Sequence, residues 1–238
     1  MSDSPKDTAR PVSLQMRETL FGDMPIWLPA TANPQAIVAE PWASFVRSKR
    51  MLESNEKGAA ISTLHQITEM PDLESRQYLQ AWHFLRALGV GPPQDKAKQV
   101  LGVVVEVGMP KGLDVLAGYA DHRARYWNFS GAGVVWECPN RTLDPFIDVL
   151  LRKASAVAQR IGPWDKARPQ PPSAGNARLN MLTPSGLHFG EGPIEELSKD
   201  GLGGPVFSSA FQLMQKLMET AKKENQVSEG NQGAPNAS

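Results

Sequence analysis

The sequence predicts an α+β fold, with an N-terminal helical hairpin packed on an antiparallel β-sheet that carries flanking helices. Three observations predict it. Between residues 42 and 88 the apolar residues recur at helical spacing. From residue 98 this period gives way to short β-branched or alternating runs, set apart by turns of two to four residues. Turns so short join antiparallel neighbours, because a parallel pair needs a long crossover. Two amphipathic stretches, 144–160 and 205–223, then supply helices long enough to cover a sheet.

Residues 1–13 are polar and hold Pro5 and Pro11, so a disordered terminus is expected. The unit 14–92 begins with an arm in which Phe21, Met24, Ile26, Trp27 and Leu28 alternate with Pro25, Pro29 and Pro34. Proline forbids a long helix there, and the apolar content is too high for a free tail. The arm is read as extended, docking Trp27 on this chain or on a partner. Trp42, Phe45 and Val46 open a first helix, and Ala60, Ile61, Leu64 and Ile67 mark a second. Asp72 is the expected N-cap of a third, whose stripe is Tyr78, Leu79, Trp82, Leu85 and Leu88. Gly89 and the pair Pro92-Pro93 end it. The hairpin resembles a single tetratricopeptide-type unit, but no second copy follows at a fixed period, so no solenoid is expected.

The unit 98–223 opens with Val103, Val104, Val105 and Val107, then a turn at Met109-Pro110-Lys111-Gly112. Strands are expected at 113–120, 123–129 and 133–137, and in the second of these Arg123, Arg125 and Trp127 share one face opposite Ala124, Tyr126 and Asn128. Pro145 suits the first turn of the helix that follows. A proline-rich connector, 162–175, leads to a second hairpin turning at Pro184-Ser185-Gly186, then a glycine-rich loop and a last helix. Residues 224–238 are expected to be a disordered tail. Over about residues 98–160 the order of elements resembles the profilin-like and roadblock-like group. The resemblance implies a central antiparallel sheet with helices on its faces, and frequent dimerisation.

Composition bounds the function. The 238 residues carry 25 Lys+Arg against 25 Asp+Glu. A formal charge of zero argues against non-specific nucleic-acid binding and against an anionic membrane surface. The single cysteine, Cys138, rules out an intrachain disulfide and a cysteine-based zinc site. His65, His83, His122 and His188 show no HxxxH or HxH spacing, so no metal or cofactor is expected. With no apolar N-terminal stretch, a cytoplasmic protein is expected. No GxSxG elbow is present, and Gly201-Leu202-Gly203-Gly204-Pro205 reads as a helix approach rather than a phosphate cradle.

Two constellations stand out. His188 and Glu191, with Arg178 on the same hairpin, are the candidate acid/base set of a hydrolase or transferase. Trp27, Arg123, Arg125 and Trp127 are candidate interaction residues, since Trp, Tyr and Arg dominate interface hot spots. With no complete catalytic set, the expected function is a non-enzymatic protein-interaction or adaptor module, acting with a protein partner or as a homo-oligomer. A small-ligand sensor with a pocket between sheet and helices is the alternative, and the His/Glu enzyme is the third.

Overall fold

A computed structural model describes residues 11–25 and 39–232. Among them are eight helices and a six-stranded antiparallel sheet, an α+β fold. The first helix, α1 (Val12–Arg17), follows Pro11. It begins where a disordered terminus was expected and occupies the start of the supposed extended arm, because proline is tolerated at a helix start and no second proline interrupts residues 12–24. The chain then turns and seats Leu20 and Phe21 on the sheet, so this part of the arm docks in cis. Trp27 lies outside the described residues.

Three helices follow, α2 (Trp42–Glu53), α3 (Lys57–Thr68) and α4 (Ser75–Ala87), and they close on Phe45, Leu64, Ile67, Ala81, Trp82 and Leu85. The cap of α4 differs from expectation. Asp72 has a left-handed φ of 56°, and Glu74 takes the N-cap place with its N–H donated to Gln77 Oε1 at 3.0 Å. That reciprocal box, with Glu74 directly before the helix, satisfies free donors at the helix end. Leu79 of α4 turns away from the helical core and packs on the sheet, which fixes the hairpin to the rest of the chain. A short α5 (Gln94–Ala97) links the two parts.

The strands are β1 (Gly102–Met109), β2 (Gly112–Tyr119), β3 (Ala124–Trp127), β4 (Gly133–Trp136), β5 (Asn176–Thr183) and β6 (Gly186–Pro193). They lie in the order β4-β3-β2-β1-β5-β6. The meander is therefore extended by the late hairpin, which pairs β5 with β1. Between them runs α6 (Asp144–Ala158), and after them come α7 (Ile194–Lys199) and α8 (Gly203–Gln232). Alternation splits the sheet into two faces. Val103, Val105, Leu116, Tyr126, Leu179 and Met181 meet Ile147 and Leu150 of α6 and Ala210, Leu213 and Leu217 of α8. Val104, Leu113, Val115, Ala117 and Tyr119 meet Leu20, Phe21 and Leu79 on the other side.

Two stretches depart from the sequence reading. The glycine-rich loop is replaced by the end of β6 and by α7, since Gly190 and Gly192 sit within a paired edge strand and Pro193 caps a helix. The last helix also continues to Gln232 through the expected tail. No proline stands between 205 and 235, and Glu219 bridges Lys216 and Lys223 one turn either side, so nothing stops the helix at 223.

Candidate functional site

Sheet register lines up three charged residues on the face covered by α1. Glu106 of β1 is paired with Arg178 of β5, and Arg178 with Glu191 of β6. Glu106 is 0% exposed, and its carboxylate accepts bonds from Arg178 Nη1 at 3.4 Å, Asn180 Nδ2 at 3.0 Å and Arg17 Nε. Arg178 Nη2 also reaches Glu191 at 2.6 Å. From Arg17 the alternation of charge continues to Glu18 at 3.6 Å, then to Arg168 at 2.6 Å, and ends on Asp23 at 2.8 Å. Burial favours a charge only if it is paired, and each member of this ladder is held by the next. Pro169 O accepts from both Arg17 and Arg178, so the proline-rich connector is tied to the same network.

The ladder ends at a cleft of about 170 Å³ formed by α4, the turn after α1, the connector and the β5–β6 hairpin. Phe21, Leu79, Leu182 and Leu187 give it apolar walls, while Asp23, His83, Arg86, Trp164, Lys166 and Arg168 supply its polar and aromatic groups. Its three cations are incompletely used. Arg86 Nη1 donates to Pro184 O, and its other nitrogens have no partner among the described residues. Lys166 rests 5.5 Å from the Trp164 ring centroid and has no carboxylate partner there. Arg168 spends Nε and Nη2 on Asp23 and Glu18, leaving Nη1 buried without a hydrogen bond. Asp23, the cleft's one carboxylate among the described residues, is thus already neutralised. Burial lowers the pKa of Arg86, with Asp23 opposing, and it lowers that of His83, where Asp23 pulls up and Arg86 pushes down. Burial acts on Arg168 in the same direction, but Asp23 and Glu18 outweigh it and raise its pKa.

The structure does not bring His188 and Glu191 together. Three residues apart on one strand, they fall on opposite faces: His188 lies opposite Met181, Glu191 opposite Arg178. His188 is fully buried on the α6 side, where its Nδ1 lies 3.2 Å from Ile161 O. A carbonyl only accepts, so Nδ1 carries the proton and Nε2, 3.2 Å from Ser185 Oγ, accepts. Arg178 and Glu191 are an ion pair in the ladder.

The candidate interaction residues are also engaged. Arg125 is 5% exposed and donates to Ala124 O and Trp136 O at 3.1 and 3.0 Å, and to Glu137. Arg123 bonds Glu137 at 2.9 Å and Asp121 at 3.3 Å. Trp127 is partly buried against the α1-side core, and Tyr126 lies in the opposite one. The glycine run before α8 is occupied as well, because Asp200 Oδ1 accepts from Leu202 and Gly203 N–H at 2.9 and 2.6 Å. These bonds lower the Asp200 pKa. Cys138 has a left-handed φ of 58° and intermediate exposure. His83, Arg86, Lys166 and Arg168 are absent from the sequence-derived sets. For Lys166 and Arg168 the available signal is Trp164-Asp165-Lys166-Ala167-Arg168, an aromatic, an acid and two cations inside a proline-rich connector, whereas nothing local marks His83 or Arg86.

No family model, curated protein or solved structure matches the chain. Among the described residues there is no cluster of His, Cys, Asp and Glu able to hold a metal ion, and no helix long and apolar enough to cross a membrane.

His188, which is buried, and His83, which is half-buried, set a pH dependence. Burial holds the His188 pKa below 6.5, the Ile161 carbonyl opposing and Lys98 adding to the effect, and His83 is lowered too. The unfolded chain binds these protons first, so their stabilising contribution is complete above about pH 6.5 and is lost as pH falls through the folded values. The urea midpoint is expected to be lower at pH 5.5 than at 7.5. His188→Asn should shrink that difference; an unchanged pH difference in the variant would remove His188 as a source.

Proposed function

We propose that the chain is a binding protein for a small anionic ligand, held in the cleft between α4, the connector and the β5–β6 hairpin. The observation that carries this reading is the set of unused donors on Arg86 and Lys166, beside Arg168, around a cavity whose one carboxylate among the described residues is already paired. Guanidinium and ammonium groups with free donors, set against apolar walls, bind a carboxylate or phosphate with charge-assisted bonds. The zero net charge makes a small anion a better fit than a nucleic acid, whose affinity needs many cations. A cytoplasmic site of action belongs to the same proposal and is supported by the lone cysteine, Cys138.

The test is a thermal-shift series with small carboxylates and phosphates on the full chain. A ligand present at a hundred times its Kd stabilises the native state by about 2.7 kcal/mol. Arg86→Ala with Lys166→Ala is expected to abolish the shift, and Lys166→Ala alone to weaken it while leaving the unliganded melt nearly unchanged. If no carboxylate or phosphate shifts the wild-type melt at millimolar concentration, the reading fails.

Protein interaction is the second reading, and one observation favours it. Strand β4 is a sheet edge with no charged residue, Val135 is 52% exposed on it, and Phe129 nearby is 41% exposed. An uncharged edge offers unpaired backbone groups to another strand. The partner proposed is a second copy of this chain, pairing β4 with β4. Light scattering should then show a dimer that Val135→Lys converts to monomer; a wild-type monomer at high concentration overturns it.

A further inference from the structure

We propose that the anion taken by the cleft is aromatic: a single planar ring laid on Trp164, with its carboxylate or phosphate between Arg86, Lys166 and Arg168. This rests on the anion reading above and adds the ring. Trp164 is 38% exposed, yet its position is overdetermined. Its indole Nε1 donates to Ala167 O at 3.0 Å, and its backbone N donates to Leu187 O at 2.6 Å. Its ring meets Phe189 edge-on, with centroids 5.1 Å apart. Phe189 is in turn backed by the Arg178 guanidinium at 5.4 Å, so the indole is braced by the charge ladder itself.

An indole that lines the cleft, is 38% exposed, and has its polar atom satisfied and its ring clamped presents a rigid aromatic surface on which only the mobile Lys166 ammonium rests. Such a surface takes a flat ring at little entropic cost. The other aromatic lining the cleft, Phe21, offers no comparable surface, because it is only 6% exposed and its ring lies under the Arg168 guanidinium at 4.2 Å. The volume suits a single ring. A cavity of about 150 Å³ holds benzene, and this one measures about 170 Å³. Leu79, Leu182 and Leu187 furnish the apolar surroundings that an aliphatic acid such as acetate has no atoms to fill. Lys166, placed 5.5 Å from the indole centroid, marks the side of the ring on which the ligand's charge belongs.

The experiment is isothermal titration of the full chain with benzoate, cyclohexanecarboxylate, acetate and inorganic phosphate. Benzoate is expected to bind about five- to ten-fold more tightly than cyclohexanecarboxylate, the margin of an aromatic pair, and both more tightly than acetate. Trp164→Ala should erase the preference of benzoate over cyclohexanecarboxylate while phosphate binding persists, and Trp164→Tyr should restore it. If benzoate and cyclohexanecarboxylate bind alike, and Trp164→Ala changes neither while Arg86→Ala weakens both, the ring is overturned and the anion reading stands. If none of the four binds, both are overturned.

Discussion

Replacing Glu106 by Gln is expected to lower the stability of the fold by about 3 kcal/mol, the low end of the cost of breaking a buried ion pair. Arg17 and Arg178 are each 3% exposed, and the Glu106 carboxylate lies between them at 0%. The substitution keeps shape and a carbonyl for Asn180, but it leaves two guanidinium groups facing a neutral amide. The loss stays at the low end because Arg178 retains Glu191 and Arg17 retains Glu18. Chemical denaturation monitored by circular dichroism checks this, and a loss below about 1 kcal/mol would mean that Glu106 is dispensable. Arg123→Ala is the contrast. Its ion pairs with Glu137 and Asp121 are partly exposed and screened, so its removal should cost no more than about 1 kcal/mol. The effect is expected to follow burial, not the number of ion pairs.

That contrast explains what the sequence could and could not show. Arg123 and Arg125 stand out in one dimension because cations and aromatics crowd a short hairpin, and their alternation with Ala124 and Tyr126 does correspond to the two faces of β3. Glu106 looks like a flaw in a run of valines. Its partners are 72 and 89 residues away in sequence, and only the antiparallel pairing of β1 with β5 and the docking of α1 bring them together. The His188–Glu191 pair shows the opposite case. Proximity in sequence suggested a site, but the two-residue period of a strand separates them. The helical stripes of α3 and α4 were legible because their core is local. The cleft was not, because His83 and Arg86 lie off the stripe of α4 and gain meaning only when the connector crosses them.

Gly108→Ala is expected to produce the other large loss, because it strikes the contact that holds the connector in place. A Cβ on Gly108 would stand 2.1 Å from Ser173 O and 2.6 Å from Pro172 O, and neither is the tip of a flexible side chain. Gly175 N–H is bonded to Gly108 O at 3.0 Å, so the strap lies directly on β1 at this point. The chain must shift by more than a rotamer change allows, at the upper end of the roughly 1–3 kcal/mol typical of overpacking. The same connector carries Trp164, Lys166 and Arg168 into the cleft and offers Pro169 O to the charge ladder. Benzoate affinity should therefore fall together with stability. Gly190→Ala is the matched control, since a Cβ there meets nothing within 4 Å and the site should change stability by less than about 0.5 kcal/mol. Were Gly108→Ala to lose stability yet bind benzoate as tightly as wild type, the strap would be a brace for the sheet alone, and the cleft would owe its geometry to the Arg168 bonds with Asp23 and Glu18.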